Sequence, residues 1–339
     1  MTDLSAMIES SIEQLFDDGL ERAASDMEAD VWPARLWERI EASGFSRLLA
    51  KEEESGWREA LPVLRAVGRR CVPAPMAETI VSGWLLGRAG IAQPDGPLTF
   101  ALWEGRPDAP EIVLKRVPWA RQAGHLVLVT EQPDLRVSLF ARSDYFCVAG
   151  ANMAGEPRDL VRLSGASAVE MGKSAFATLS VQAVGALIRA AQIVGALERV
   201  AELATTYAND RLQFGKPIGK FQAVQQQMAL LSTHAIMAST AVEYAFLRAG
   251  ETVAEVEAAV AKICAGEGGG VCCDIAHAVH GAMGFTRDYP LQLATRRIMS
   301  WREEFGSESF WSQHLGERVC ASGPEGMWRL ITEQHAASA

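Results

Sequence analysis

The chain has 339 residues, 49% hydrophobic and 22% charged, which is enough apolar material for two or three cores and excludes a disordered or fibrous polypeptide. Its formal net charge of -10, with no offsetting Lys/Arg cluster, excludes the basic field that a nucleic-acid partner requires. Residues 1–30 are acidic and amphipathic with no apolar export segment, and no apolar run of about 18 residues occurs, so no membrane span is expected and the reading is cytoplasmic.

From residue 4 to about 90 the apolar residues recur at helical spacing, as in Leu61, Leu64 and Val67, then Ile80, Trp84 and Leu85, with Pro73 and Pro75 separating two helices. The turn cluster Pro94-Asp95-Gly96-Pro97 changes the pattern. Short β-branched runs follow at Ile112-Val113-Leu114, Leu126-Val127-Leu128-Val129 and Val137-Ser138-Leu139-Phe140, separated by Gly/Pro turns. From Ser180 the helical period returns. One helix runs toward Asp210, with Gly215 expected as its C-terminal cap, a second from about Lys220 to Arg248, and a third from a Thr252 to Glu255 capping box to about His280. Gly268-Gly269-Gly270 inside the third helix costs about 1 kcal/mol per residue relative to alanine, which marks either close approach of a neighbour or a break. The fold class is therefore mainly α with a small β domain: a helical N-terminal domain at 1–95, a β-rich middle domain at 96–175 and a C-terminal four-helix bundle at 176–339, with a frayed tail from residue 333.

The six cysteines are scattered, which points to reduced thiols. Cys272-Cys273 with His277 and His280 is a poor metal site, because adjacent cysteines leave a helix on different sides; no metal is expected. Chemistry concentrates instead at Arg211-Leu212-Gln213-Phe214-Gly215-Lys216-Pro217-Ile218 with Phe221-Gln222 and Gln225. A guanidinium fork and an aromatic face in a Gly/Pro turn suit a nucleotide's diphosphate and base. The same residues also read as an arginine set against a helix dipole beside a buried phenylalanine.

Residues 207–225 resemble the signature of the acyl-CoA dehydrogenase family, an arginine followed by Gln-Phe-Gly, a proline turn and Phe-Gln on the next helix. A second similar stretch, His280-Gly281-Ala282-Met283-Gly284-Phe285 through Tyr289-Pro290-Leu291 and Arg296-Arg297, follows in the family's order, and Gly68-Arg69-Arg70 with Pro73-Ala74-Pro75 resembles its N-terminal helices. The resemblance implies an acyl-CoA dehydrogenase-like fold and an FAD shared between subunits. It implies Arg211 on the pyrophosphate, Gln213 as a hydrogen-bond partner, Phe214, Ile218 and Phe221 around the adenine, and a phosphate approach at Gly281 to Gly284. There Gly281-Ala282 replaces the usual Gly-Gly pair, and Ala278 stands where a glutamine is usual.

The implied reaction is α,β-dehydrogenation of an acyl-CoA substrate, in which a desolvated carboxylate with a raised pKa takes the α-proton and the flavin takes hydride. Of the family's two base positions, the early one falls on Gly185. The later loop, Trp301-Arg302-Glu303-Glu304-Phe305-Gly306, offers Glu304 one residue off register, unless Glu304 is a surface carboxylate paired to Arg297 or Arg302. The β region is short and lacks the family's Thr-Glu-Pro-type platform for the flavin ring. The chain thus resembles the small subunit of heteromeric acyl-CoA dehydrogenases of bacterial sterol side-chain degradation, whose larger homologous partner brings the ring platform. An electron-transfer acceptor is implied as well. A self-sufficient homo-oligomer using Glu304 and a non-catalytic scaffold are the competing readings.

Overall fold

A computed structural model describes residues 3–17, 20, 31–50, 56–105, 109–130, 135–165, 168–173, 181–250, 253–323, 326 and 328. Thr252 of the expected capping box and the tail from residue 333 lie outside the described residues.

The N-terminal part is helical: α1 (Asp3–Asp17), α2 (Ala34–Ser43), α3 (Trp57–Arg69) and α4 (Met76–Arg88). Helix α3 has Pro62 inside it and a Glu59 side chain that accepts from the Gly56 N–H at 2.9 Å. The strands are β1 (Leu98–Trp103), β2 (Glu111–Pro118), β3 (His125–Thr130), β4 (Arg136–Ala141), β5 (Phe146–Val148), β6 (Arg158–Ser164) and β7 (Glu170–Lys173). They form two sheets, ordered β1-β3-β4-β7 and β2-β6-β5. β1 runs parallel to β3, while the remaining pairs are antiparallel. Strand alternation divides the apolar residues of β3 between two cores. Val127 and Val129 join the main core with the helices, whereas Leu126 and Leu128 join a smaller one with Ile112, Leu114, Phe140 and Val161.

The C-terminal helices are α5 (Val181–Asp210), α6 (Gln222–Arg248), α7 (Glu255–His280), α8 (Leu291–Arg302) and α9 (Glu308–Ala321). Helix α5 is long and apolar enough by length and composition to cross a bilayer, yet 89% of its most apolar window is buried inside the protein, as in a core helix. It packs on α3 where Gly68 faces Gln192 and Gly195 faces Arg65. A Cβ at either glycine would collide with backbone atoms of the other helix.

Two local expectations change, and one open alternative is decided. Gly215 does not cap α5, which ends at Asp210; it lies at φ +78° in a tight hairpin between β8 (Leu212–Gln213) and β9 (Lys216–Pro217). Helix α7 starts at Glu255 with Ala254 as its N-cap and no side-chain capping bond. Gly268, Gly269 and Gly270 do not break α7. A Cβ on Gly269 would come within 2.7 Å of Ile298, and one on Gly270 within 2.8 Å of Arg302. They let α8 approach α7, and that positions the loop after α8.

Candidate functional site

The loop following α8 is fixed from three directions. Glu304 N–H and Glu303 N–H continue the helix end onto Trp301 and Ser300 carbonyls, then Phe305 at φ +55° and Gly306 at φ +93° reverse the chain. The buried Lys262 of α7 donates to the carbonyls of Arg302 and Gly306 at 2.5 and 2.7 Å, and Trp311 Nε1 donates to the Phe305 carbonyl at 2.9 Å.

Glu304 thereby points inward and is only 8% exposed. It accepts from Arg158 Nε at 2.7 Å and Nη2 at 3.0 Å, from Arg189 Nε at 2.7 Å and from Asn152 Nδ2 at 3.3 Å. Arg189 also binds Glu78 at 2.6 Å and Gln192 at 2.5 Å. Arg158 also binds Glu156, which accepts from Arg297 and from Trp301 Nε1. Three carboxylates and three guanidiniums thus close a buried network that joins α4, α5, α8 and the turn before β6. Burial by itself would raise the Glu304 pKa, but the fields of Arg158 and Arg189 and their hydrogen bonds outweigh it and hold the carboxylate at about 2.

This corrects the reading of Glu304 in both of its forms. A carboxylate held at about 2 is a weak proton acceptor, the reverse of the raised pKa that a base needs. Nor is it a surface group paired to Arg297 or Arg302; its partners are Arg158 and Arg189, in the interior.

The residue after Glu304 nevertheless reaches the other position offered for a base. The Phe305 ring lies directly over Gly185, where any Cβ would strike it. That ring stacks on Phe100 at 5.5 Å with a 15° interplanar angle, and the Arg189 guanidinium lies 5.7 Å from its centroid. Hydrocarbon fills the place where the resemblance put a carboxylate. A cavity of about 1460 Å³ opens elsewhere, among Arg69, Arg70, Trp119, Glu156, Arg296 and Arg297, and neither Glu304, Phe305 nor Arg211 lines it.

The other expected site faces outward. Arg211 and Gln213 are exposed, and Phe214 is 90% exposed at φ +51°. Its alternative reading as a buried phenylalanine is therefore corrected. Ile218 N–H donates to the Arg211 carbonyl at 2.9 Å and closes the hairpin. Phe221 lies edge-on to Phe214 at 6.1 Å, with Lys216 Nζ 4.4 Å from its ring. Ile218 and Phe221 are half-buried at the base of this corner. Gly281, at φ +58° and ψ -138°, begins a second turn through Phe285 that is exposed except at Gly284. Among the described residues no group of three His, Cys, Asp or Glu side chains converges as metal ligands. Cys272 and Cys273 are buried in α7 with thiol pKa values pushed by burial to about 12.

FAD fits one part of this arrangement and not the other. An exposed guanidinium, a lysine and an aromatic face at the Arg211–Phe221 corner suit an ADP moiety. The interior around Gly185 is packed with Phe305 and Phe100 and leaves no room there for a catalytic carboxylate. Sequence reasoning missed Arg158, Arg189, Asn152, Phe305 and Lys262. One signal was available, since Arg189 is the only charged residue between Val181 and Leu197.

Residues 177–319 match the family profile described as the acyl-CoA dehydrogenase C-terminal domain. A curated relative, acyl-CoA dehydrogenase IpdE2 of Mycolicibacterium smegmatis, is 25% identical over 288 residues, 81% of this chain and 85% of the relative. Two further curated relatives, at 34% and 35% identity, are matched over only 26% and 30% of their own length. Among solved structures, the ChsE4-ChsE5 complex from Mycobacterium tuberculosis superposes with a TM-score of 0.83 at 21% identity, over 94% of this chain and 98% of that one. The Tcur3481-Tcur3483 steroid ACAD, as its G363A variant, gives 0.82 at 22% identity over the same shares. The fold is that of the acyl-CoA dehydrogenases, mainly helical with a small sheet region.

Proposed function

We propose that this chain, an acyl-CoA dehydrogenase family member with its family domain at residues 177–319, is one subunit of a heteromeric FAD-dependent enzyme that desaturates an acyl-CoA thioester. It contributes the grip on the ADP end of the cofactor, and a larger homologous partner contributes the ring platform and the base. The observation that carries this reading is the Phe305 ring packed over Gly185, which leaves no room for a carboxylate there, and the pairing of Glu304 with Arg158 and Arg189 supports it at the other base position. The outward corner complements it. Arg211 pairs with pyrophosphate oxygens, Gln213 donates to the ribose or phosphate edge, and Phe214, Ile218 and Phe221 flank the adenine.

Bound FAD supplies the hydride acceptor of the reaction. This chain's residues anchor the nucleotide, and the Glu304 network keeps the loop after α8 closed without moving a proton. Helix α6 supports the partner. From Gln222 to Val242 it carries no Asp, Glu, Lys or Arg, yet Leu230, Ile236 and Met237 are 48%, 65% and 56% exposed. An uncharged apolar helix face of that length fits a subunit interface. The steroid ACAD among the structural neighbours supports a bulky substrate such as a steroid side-chain CoA ester.

The test is co-purification with the native partner followed by flavin quantification. The isolated chain is expected to hold almost no FAD, the complex to hold it, and Arg211→Ala to strip it from the complex. Full flavin occupancy and turnover by the chain alone would establish the self-sufficient enzyme instead. An Arg211→Ala complex with unchanged flavin would leave the scaffold reading.

A further inference from the structure

The two exposed corners are joined by an aromatic cluster that takes Tyr207 from the first motif and His280 and Tyr289 from the second. Tyr207, in the last turn of α5, stacks on His280 at 4.5 Å and 30°, and its carbonyl accepts the Arg211 N–H at 2.9 Å. His280 ends α7, is 2% exposed and immediately precedes Gly281. Its Nδ1 lies 2.7 Å from the Ala276 carbonyl, which can only accept, so Nδ1 carries the proton. In the neutral ring Nε2 is then the acceptor for the Tyr289 hydroxyl at 3.0 Å. Tyr289 closes the cluster edge-on to Tyr207 at 6.3 Å. One turn earlier on the same helix, His277 holds Thr295 at 3.1 Å and stacks on Phe285 at 4.4 Å, bracing the far end of the Gly281 turn.

We infer that His280 is a positioning residue that locks the Arg211 hairpin and the Gly281 turn into one rigid unit, so that both meet the diphosphate of a single nucleotide. The inference rests on the FAD-grip reading above. The imidazole touches no phosphate itself; it sets the spacing of two surfaces that do. Burial lowers the His280 pKa despite the carbonyls of Ala276 and Leu203, in keeping with a neutral ring that keeps both bonds.

The experiment titrates FAD into the deflavinated complex of this chain with its native partner, read by flavin fluorescence, with melting temperature and assembly state recorded for each variant. Tyr289→Phe removes only the hydroxyl that His280 accepts and is expected to weaken FAD binding about fivefold. His280→Leu also loses the Ala276 bond and the imidazole stack and is expected to weaken it at least about tenfold, with assembly intact. Because part of the His280 effect is exerted through Arg211, the Arg211→Ala/His280→Leu double variant should lose less affinity than the sum of the two single losses. Additive losses, or wild-type affinity in both single variants while Arg211→Ala binds weakly, overturn the inference and leave the grip reading standing. Wild-type affinity in Arg211→Ala overturns the grip reading itself. If His280→Leu does not assemble, the near-isosteric Tyr289→Phe decides.

Discussion

Replacing Glu304 with glutamine separates a buried structural carboxylate from a catalytic one. In the folded chain its pKa falls from the ordinary 4.5 to about 2, which is linked to about 3 kcal/mol of stability at neutral pH. The sign follows from the direction of the shift. Depression favours the folded state, so the contribution is complete above the unfolded value near 4.5 and disappears as pH falls toward 2. Glu304→Gln keeps the shape but leaves Arg158 and Arg189 under-neutralised, and breaking a buried pair in this way costs about 3–5 kcal/mol. Urea unfolding at pH 7 should therefore show that loss. Acid titration of the midpoint between pH 5 and 2 should be steeper in the wild type than in the variant. A variant as stable as the wild type but unable to abstract a proton would refute the reasoning, because only a base free of its arginines behaves so.

Gly195→Ala should destabilise the chain by about 3 kcal/mol in thermal unfolding, because its methyl meets the Arg65 backbone, which cannot move aside as a side chain can. Gly250→Ala, with open space around it, is the matched control and should stay within about 0.5 kcal/mol. Burial lowers the Lys262 pKa from 10.5 to about 8 against the opposing fields of Glu308, Glu304 and Glu303. The folded state then binds fewer protons than the unfolded one between pH 8 and 10.5, so this residue adds stability as pH rises through that window. Urea midpoints at pH 7.5 and 10 should differ by less in Lys262→Met than in the wild type, once both share the same background titrations. In thiol labelling of the native chain, exposed Cys320 should react at once, while Cys272 and Cys273, buried with thiols at about 12, should react only on unfolding.

Much of the fold was legible because its signals are local. The helical period of residues 181–210, the second helix from about Lys220 to Arg248 and the β-branched run of the β3 strand each depend on neighbours a few positions away. The Arg211 to Phe221 corner was legible for the same reason, since one short turn carries its chemistry. Gly215 was located correctly as a turn residue and misassigned as a cap, because a helix cap and a hairpin ask for the same positive φ.

The Glu304 neighbourhood could not be read that way. Its partners stand 115 and 146 residues away, on α5 and at the start of β6, and sequence adjacency suggested Arg302 and Arg297 instead. Burial alone predicts a raised carboxylate pKa, while two guanidiniums at 2.7 Å reverse the sign, and only packing decides which effect wins. The amino-acid order therefore determined which segments coil, which pair and which turn presents an arginine beside an aromatic ring. Which side chain lies over Gly185 was decided by tertiary structure, since that contact depends on how α8 approaches α7 over Gly269 and Gly270 rather than on any local preference.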